Sequence, residues 1–442
     1  MTAPAALPTA DTQSLLQQAM QEHSSGHFDA AQGLYAHVLE RQPEHADALH
    51  LLGVLQAQRG RHADAAVLID RAIQAQPGEA MFHNNLGNVF VEAERFQEAE
   101  RQYAIAITLD PERVDALNNL GVLFSRTQRA EDAERALLQA LKLAPDFADA
   151  RQNLANHYLR SGRISEAVQH CCDALIVAPR NTALRRVLGL AYSLMDRNDL
   201  AIEVYRHWLR DEPDNEIARF HLAACTGQGV PERAPDNYVA GVFDSFANSF
   251  DAKLAALEYR APELVAQAVA RRMTPAPGSL RALDAGCGTG LCVPLLAPWC
   301  KQLVGVDLSE GMLRRAAQRR LYHGLFKADL VAFLQAQPAA YELVVSADTL
   351  CYFGALESFA AAAAASLVGG GVLAFTVEAH QDTEGQPASR LQPNGRYSHR
   401  RQYVHDALAE AGFGALEFEA VVLRMEAHEP VNGWLVSAVK PQ

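Results

Sequence analysis

The sequence has little that suits a secreted, membrane-bound or nucleic-acid-binding protein. Its N-terminal stretch lacks a charged start followed by an apolar core, so no secretory signal is expected. The longest apolar run, 359–365, is far shorter than the ~20 residues that span a bilayer. Lys and Arg number 39 against 52 Asp and Glu, and both halves of the chain are acidic, which argues against binding through phosphates. We therefore expect a cytoplasmic protein with neither a membrane nor a nucleic-acid partner.

Cysteine pairs of the C-x-x-C kind are also missing among the seven cysteines. Such pairs hold zinc or carry out redox chemistry, so the sequence predicts no metal site and a reduced chain. The densest basic cluster lies on one predicted helix, and we interpret it as a solvated helix face. It consists of Arg314, Arg315, Arg319 and Arg320.

A 34-residue internal repeat fills the first half of the chain, whose length of 442 residues would otherwise suggest about three domains. Apolar residues within each unit follow the 3.6-residue period and break where the chain turns, which predicts two antiparallel helices per unit. Small residues allow the two helices to pack closely, and a proline ends the second helix. The prolines stand at Pro43, Pro77, Pro111, Pro145, Pro179 and Pro213, and the small residues at Ala19, Gly53, Gly87, Gly121, Ala155, Gly189 and Ala223.

This pattern resembles the tetratricopeptide repeat, with six units from Thr12 to Asn215 and a cap helix near 216–225. The resemblance implies an α-solenoid, a right-handed superhelix whose concave face holds a protein or peptide. We expect this repeat domain to cover 12–225 and a Gly- and Pro-rich linker to cover 226–236.

Asparagines recur on the first helices of three consecutive units, although asparagine is a poor helix former. Their amides both donate and accept hydrogen bonds, which suits binding of an extended peptide backbone. A similar asparagine ladder lines the superhelix of the enzyme that attaches N-acetylglucosamine to Ser and Thr of proteins, which implies sequence-tolerant peptide capture. The alternative is a set of solvated residues left by repeat duplication. The candidates are Asn85, Asn88, Asn119, Asn153 and Asn156.

Short β-branched or apolar runs alternate with helical patterns from Leu280 onwards, which predicts a doubly wound α/β sheet over 237–442. Such sheets bind ligands at the carboxyl ends of their strands. The first strand ends in the turn DAGCGTG at 284–290, whose glycines allow a ligand to approach the backbone. Its spacing differs from the G-x-G-x-x-G dinucleotide fingerprint, because Leu291 stands at the last glycine position.

The turn resembles motif I of class I S-adenosylmethionine-dependent methyltransferases, which have a Rossmann-like sheet. The resemblance implies that Asp284 holds the methionyl amine, Asp307 the ribose hydroxyls and Asp329 the adenine amine. It places this cofactor, S-adenosyl-L-methionine, against a wider set of residues. They are Asp284, Gly286, Cys287, Gly288, Gly290, Asp307, Leu308, Met312, Asp329 and Leu330.

Segments at both ends of this second half resemble a type 11/12-like group of bacterial methyltransferases that often carry tetratricopeptide repeats. The leader, 238–262, implies helices that cover the cofactor and exclude water with aromatic side chains, although their helical spacing also fits ordinary core packing. The second segment includes GRYSH at 395–399 and PVNG at 430–433. The leader aromatics are Tyr238, Phe243, Phe246 and Phe250.

Three residues are candidates for a base near the transferred methyl group: His399, Tyr352 and Asp348. His399 has the alternative of supporting the following helix, and Asp348 that of positioning substrate or cofactor. Cys287 is interpreted as a small filler rather than a nucleophile. The acceptor pocket is expected to involve His380, Glu378, Arg396 and Arg424.

These residues predict a methyltransferase whose repeats recruit a protein or peptide acceptor. One alternative keeps the enzyme but gives it a small acceptor, a sugar or carboxylate metabolite, with the repeats docking it in a complex. The other is a repeat scaffold without catalysis, against which the intact cofactor motif argues.

Overall fold

The structure, a computed structural model, describes residues 12–380, 387–426 and 429–442, without the side chain of Ser245. We expected no secretory signal at the N-terminus; the first eleven residues of that stretch lie outside the described ranges. The chain forms two compact units that divide between Leu184 and Arg185. No helix of the described ranges is both long and apolar enough to cross a membrane.

Unit 1 is an α-solenoid of helix pairs, in which first helices of 13 residues alternate with second helices of 14. Each first helix starts 34 residues after the previous one, as the sequence period predicts. From residue 12 onwards its ten helices are α1 Thr12–Ser24, α2 Phe28–Arg41, α3 Ala46–Gln58, α4 His62–Ala75, α5 Ala80–Glu92, α6 Phe96–Leu109, α7 Val114–Arg126, α8 Ala130–Leu143, α9 Ala148–Arg160 and α10 Ile164–Val177.

Small and large side chains interlock within each pair. In the third pair a side chain on Gly87 would begin 2.5 Å from the ring of Tyr103, which is 2% exposed. Ala99 is fully buried in the same interface. The repeat therefore works as its sequence indicates, with small residues on one helix admitting a large ring from the other.

Unit 2 begins inside α11 (Thr182–Leu194) and continues through α12 (Asn198–Asp211) and α13 (Glu216–Thr226). Eight more helices and nine strands follow among the residues that the structure describes. The helices are α14 Asp236–Phe246, α15 Phe250–Ala256, α16 Ala261–Arg272, α17 Val293–Leu296, α18 Glu310–Gln318, α19 Leu330–Gln335, α20 Glu357–Ser366 and α21 Arg401–Glu410. The strands are β1 Leu280–Ala285, β2 Cys300–Asp307, β3 Gly324–Lys327, β4 Tyr341–Ser346, β5 Leu367–Ala379, β6 Ser389–Leu391, β7 Tyr397–His399, β8 Gly414–Glu426 and β9 Glu429–Val439.

The strands form one mixed sheet with a parallel core in the order β3-β2-β1-β4-β5. Strand β9 pairs antiparallel with β5 and carries β8 at the edge, while the β6–β7 hairpin joins the carboxyl end of β5. The two faces bury separate apolar cores, one against α16 and α17 and the other against α19, α20 and α21. The expectation of a solenoid followed by a Rossmann-like doubly wound sheet is confirmed.

The segment 226–236, which we expect to be a linker, makes backbone hydrogen bonds to the loop that follows β4. The N–H of Ala234 donates to the Tyr352 carbonyl at 2.8 Å, and the N–H of Gly354 donates to the Glu232 carbonyl at 2.7 Å. Arg233 forms an isolated antiparallel bridge with Phe353, so this segment pairs its backbone groups with the loop that follows β4.

The cap helix α13 also belongs to the compact body of unit 2. The ring of Phe220 lies 5.1 Å from that of Tyr238 and 6.3 Å from that of Tyr397. Phe220 is 1% exposed, so this packing buries it fully.

Candidate functional site

A cleft opens at the carboxyl ends of β1, β2 and β4, where doubly wound sheets bind ligands. It encloses about 1160 Å³ of empty space, including the part that is open to solvent, which suffices for a nucleoside-sized ligand. Its walls come from the glycine turn, the turns after β2, β3 and β4, and the helices α14–α16.

The glycine turn forms the floor of the cleft. Gly286 has φ +75°, which favours glycine, and a side chain there would collide with the side chain of Thr349. The side chain of Thr349, in the loop after β4, therefore packs directly against the backbone of the turn. The N–H groups of the turn already donate within the protein: those of Gly286 and Cys287 to the Val306 carbonyl, and that of Gly290 to the Cys287 carbonyl.

Asp284 lies under the glycine turn and is 1% exposed. The hydroxyl of Tyr322 donates to its Oδ2 at 2.6 Å. Burial raises the pKa of Asp284 to about 7, the bond from Tyr322 opposes the rise, and the neighbouring Asp307 adds to it. A cation beside this carboxyl would favour its ionised form.

Asp307, the last residue of β2, holds the turn in place. Its Oδ2 accepts from the N–H of Gly288 at 2.9 Å, and its Oδ1 accepts from the N–H of Ser309 at 2.8 Å. Burial raises the pKa of Asp307, and these backbone bonds oppose the rise. Each oxygen keeps a second lone pair for a ligand, which suits a pair of neighbouring hydroxyls.

Asp329 caps α19, and its Oδ1 accepts from the N–H of Ala332 at 2.8 Å. Its Oδ2 accepts from Arg233 Nη1 at 2.5 Å. Burial alone would raise the pKa of Asp329, but the bonds from Ala332 and Arg233 lower it below its usual value. This carboxylate is therefore the most readily ionised of the three.

The structure brings most of the predicted cofactor residues together. Gly290 and Met312 do not line the cleft, since Met312 is fully buried in the core beneath α18. Burial raises the pKa of the Cys287 thiol, which fits its interpretation as a filler. The predicted residues that line the cleft are Asp284, Gly286, Cys287, Gly288, Asp307, Leu308, Asp329 and Leu330.

Asp348 stands at the inner wall, in the loop after β4. Its φ of +56° is strained for a residue with a side chain, and its N–H donates to Thr376 Oγ1 at 2.9 Å. Its Oδ2 accepts from Arg424, whereas its Oδ1 is buried without a partner among the described residues. Burial raises the pKa of Asp348 to about 6, against an opposing effect of Arg396. Asp348 thus lines the cleft with a strained backbone and carries a buried acceptor oxygen that is unpartnered among the described residues.

Arg424 organises this inner wall and is 1% exposed. Its Nη1 donates to Asp348 at 2.9 Å, its Nη2 to Glu378 at 2.5 Å and its Nε to Glu426 at 2.7 Å. Arg396 also donates to Glu426 at 2.7 Å. Two arginines and three carboxyl groups therefore form one network, and both arginines reach the cleft.

Donor atoms of Asp348, Cys351 and Glu378 lie within 4.8 Å of one another, which is close enough to hold a metal ion. Both carboxylates already accept from Arg424, and burial raises the pKa of the Cys351 thiol. The positive charge that a metal would bring is thus supplied by a side chain.

The other two candidate bases occupy different places. Tyr352 lines the cleft, and burial raises the pKa of its phenol. His399 lies outside the cleft, fully buried behind Phe353, to whose carbonyl its Nε2 donates at 2.8 Å. Burial lowers the pKa of His399 to about 4, so the ring is neutral at neutral pH. It supports the loop after β4 and is stacked on Tyr403.

The leader aromatics divide between the cleft and the core. Phe243 and Phe250 line the cleft, with ring centroids 5.9 Å apart. Phe246 stacks on Phe250 at 6.0 Å without lining the cleft, and Tyr238 packs in the core against Phe220. Phe243 and Phe250 thus lie where a cover of the cleft would need them, and Tyr238 lies where core packing predicts it.

The basic helix α18 is tied to the leader. Arg319 donates to the Thr289 carbonyl and to Asp251, each at 2.6 Å. Arg315 donates to Asn248 at 2.7 Å. At least these two arginines of the predicted solvated face therefore link the leader to the glycine turn.

In unit 1 the asparagines connect neighbouring repeats. Asn119 Nδ2 donates to Asn84 Oδ1 at 3.0 Å and to Asn88 Oδ1 at 3.1 Å, and Asn153 Nδ2 donates to Asn118 Oδ1 at 2.8 Å. These bonds already use amide hydrogens that a peptide would need.

The ladder begins at His50, whose Nε2 lies 2.8 Å from Asn85 Nδ2. Asn88 is exposed, although its Oδ1 also accepts from Tyr103 at 2.7 Å. Asn156 is half-buried. Part of the asparagine surface remains open to solvent, and the rest serves repeat packing.

The comparisons with known proteins agree with this architecture. Residues 2–227, more than half of the chain, match the family described as the cilia and flagella-associated protein 70 C-terminal domain, a family of tetratricopeptide repeats. The chain belongs to this family. Residues 283–375 match the family described as methyltransferase domain, so the tetratricopeptide repeats are joined to a methyltransferase domain.

Human methyltransferase-like protein 27 is 39% identical to the chain over 118 residues, which are 26% of this chain and 47% of that protein. The chain spans about half the length of this curated relative. Among solved structures, the pilF protein of Pseudomonas aeruginosa is 20% identical with a TM-score of 0.41, covering 46% of this chain and 93% of that one. A thermophilic tetratricopeptide-repeat protein of Thermus thermophilus is 25% identical with a TM-score of 0.37, covering 41% and 98%.

Sequence reasoning missed several residues in and around the cleft, of which four matter most for the site. Tyr322 follows the basic helix without a recognisable pattern, and Arg233 lay in the expected linker. Thr349 stood next to Asp348 in a motif already noticed. Tyr259 belonged to the leader. The structure shows that it lines the same cleft as Asp348, which the sequence alone does not indicate.

Proposed function

We propose that the protein is an S-adenosylmethionine-dependent methyltransferase whose repeats recruit a protein or peptide acceptor. The observation that carries the proposal is one cleft in which a glycine turn and the carboxyl groups after three successive strands converge. The matching methyltransferase domain family supports it.

The residues of the cleft fit this cofactor. Asp284 offers a carboxyl for a protonated amine, Asp307 free lone pairs for two hydroxyls, and Asp329 a carboxylate for an amino group. Leu308 and Leu330 give an apolar surface beside Asp329. At Gly286 the space that a side chain would need is filled by the side chain of Thr349, so the loop after β4 packs directly against the glycine turn.

S-adenosylmethionine supplies an electrophilic methyl group on a positively charged sulfur. The protein's contribution is therefore alignment, exclusion of water and acceptance of a proton. Asp348 Oδ1 is the acceptor that we assign to the proton, because it is unpartnered among the described residues and lies at the inner wall. Tyr352 positions the acceptor group, and Phe243 and Phe250 exclude water.

The face of the first helices in the repeat unit is the surface that we assign to the acceptor peptide. Asn88 and Asn156 keep polar surface there, while Asn85, Asn119 and Asn153 keep the repeats in register. The expected cytoplasmic location stays a prediction.

One observation favours a small acceptor as the second candidate. The inner wall is deep, since the side chains of Arg424 and Asp348 are 1% and 13% exposed. Only a slender group reaches Asp348, either an extended side chain or a small metabolite.

Methyl-labelled S-adenosylmethionine and a cell lysate separate the two candidates. Label in the protein fraction is expected, and label only among small molecules would establish the second candidate. An Asp307→Ala variant that transfers no label is the control for chemistry in this cleft. Calorimetry that shows no cofactor binding by the native protein would refute both and favour a repeat scaffold.

A further inference from the structure

The segment before the leader contributes a cationic side chain to the cleft. Arg233 lines the cleft beside Asp236 and Asp329 and is 33% exposed. Its Nη1 donates to Asp329 at 2.5 Å, and its Nη2 donates to Asp236. The two carboxylates therefore fix the plane of the guanidinium.

The backbone around Arg233 is fixed as well. Arg233 forms an antiparallel bridge with Phe353, and its guanidinium carbon lies 5.6 Å from the centre of the Phe353 ring. The carbonyl of Glu232 accepts from the N–H groups of Gly354 and Ala355 at 2.7 and 2.8 Å. This side chain is thus held in place rather than mobile at the mouth of the cleft.

Gly354 shows how close this approach is. A side chain there would begin 2.6 Å from the ring of Tyr397 and 3.2 Å from the Glu232 carbonyl. The hydroxyl of Tyr397 in turn donates to the Pro231 carbonyl at 2.8 Å. The segment 231–234 therefore depends on the loop after β4 for its position.

We propose that Arg233 is a binding residue for the adenine ring of the cofactor, with its fixed guanidinium as one wall of the adenine pocket beside Asp329. A planar guanidinium stacks on an aromatic base, and the two carboxylates occupy its edge while leaving a face to the ligand. The inference rests on the proposed cofactor. It makes the segment between the repeats and the leader a part of the cofactor site.

Calorimetry with S-adenosylhomocysteine on the full chain tests this inference. Arg233→Ala is expected to raise the Kd about tenfold, because one stacking partner is lost. Arg233→Lys is expected to raise it nearly as much, since lysine keeps the charge and loses the plane. Arg271→Ala is the matched control, because Arg271 pairs with the exposed Glu419 outside the cleft.

A second variant leaves Arg233 itself unchanged. Gly354→Ala displaces the segment from the loop and is expected to weaken binding several-fold; its Tm falls as well, since the new side chain meets the buried ring of Tyr397, and binding is therefore measured well below that Tm. A native protein that fails to bind S-adenosylhomocysteine contradicts the proposed function. Native binding that Arg233→Ala and Arg233→Lys leave within about twofold overturns this inference alone.

Discussion

The hydroxyl of Tyr322 donates to Asp284 Oδ2 at 2.6 Å beneath the glycine turn. This bond favours the ionised carboxyl in a place where burial disfavours it. It links a residue on the far side of β2 to the proposed site of the cofactor amine.

Tyr322→Phe is expected to weaken S-adenosylhomocysteine binding about tenfold at pH 7, since a bond to a charged group is lost. The pKa of Asp284, already raised to about 7, rises further, so less of the carboxyl is ionised at neutral pH. Affinity should increase with pH through about 7 in the native protein and through a higher pH in the variant. Calorimetry between about pH 6 and 9 measures both profiles, and coinciding profiles would contradict the role of Tyr322.

Asp348→Asn is expected to lower the rate of methyl transfer at least about a hundredfold, because the amide cannot accept the proton. In the native protein the rate should rise as pH increases through about 6, where Asp348 ionises. Single-turnover rates at saturating cofactor measure this, with the Kd of the cofactor as control. A native rate of methyl transfer in this variant would mean that a group other than Asp348 accepts the proton.

Arg424→Met is expected to lower the free energy of unfolding of unit 2 by about 3–5 kcal/mol, because it leaves buried carboxyl groups unpaired. Chemical denaturation measures the loss. The matched control is Arg271→Met, whose ion pair with Glu419 is about half-exposed and should contribute no more than about 1 kcal/mol. Equal losses of unfolding free energy in both variants would show that the buried network stabilises the protein no more than the exposed ion pair does.

Asn119→Ala removes two hydrogen bonds between repeats and is expected to destabilise unit 1 by about 1–2 kcal/mol. Amide hydrogens of α5 and α7 should exchange faster, which hydrogen-exchange mass spectrometry measures. Asn156→Ala is the comparison, since the structure gives Asn156 no hydrogen bond from its side chain among the described residues. Unchanged exchange in Asn119→Ala would mean that the ladder contributes nothing to repeat packing.

Much of the fold was predictable because it depends on local patterns. The 34-residue period determines where each helix pair begins, and Gly87 next to Tyr103 shows the packing that the pattern implied. The glycine turn and Asp307 were likewise predictable from the sequence, because both stand at the ends of predicted strands. In these cases sequence neighbours are also structural neighbours.

The partners of several candidate residues were not predictable, because these contacts join distant parts of the chain. Arg424 meets Asp348 only because β8 and β9 complete the sheet beside β5. His399 was a candidate base by type and position, yet the fold buries it behind Phe353. Asn119 has the amide that a peptide would require, but the neighbouring repeat already uses it. Single-sequence reasoning identifies such donors and acceptors without identifying their partners.

The segment 231–234 and the cap helix α13 limit where a different repeat array could be joined to the methyltransferase domain. A cut anywhere in 226–236 would remove α13 and expose Tyr238 and Tyr397, against which Phe220 packs. A cut after Ala234 would also deprive the loop after β4 of its backbone partners. The compositional boundary is therefore a poor place to join a different repeat array. A different repeat array is expected to be tolerated only when it is joined upstream of α11, so that α11 and all the following residues remain together with the sheet.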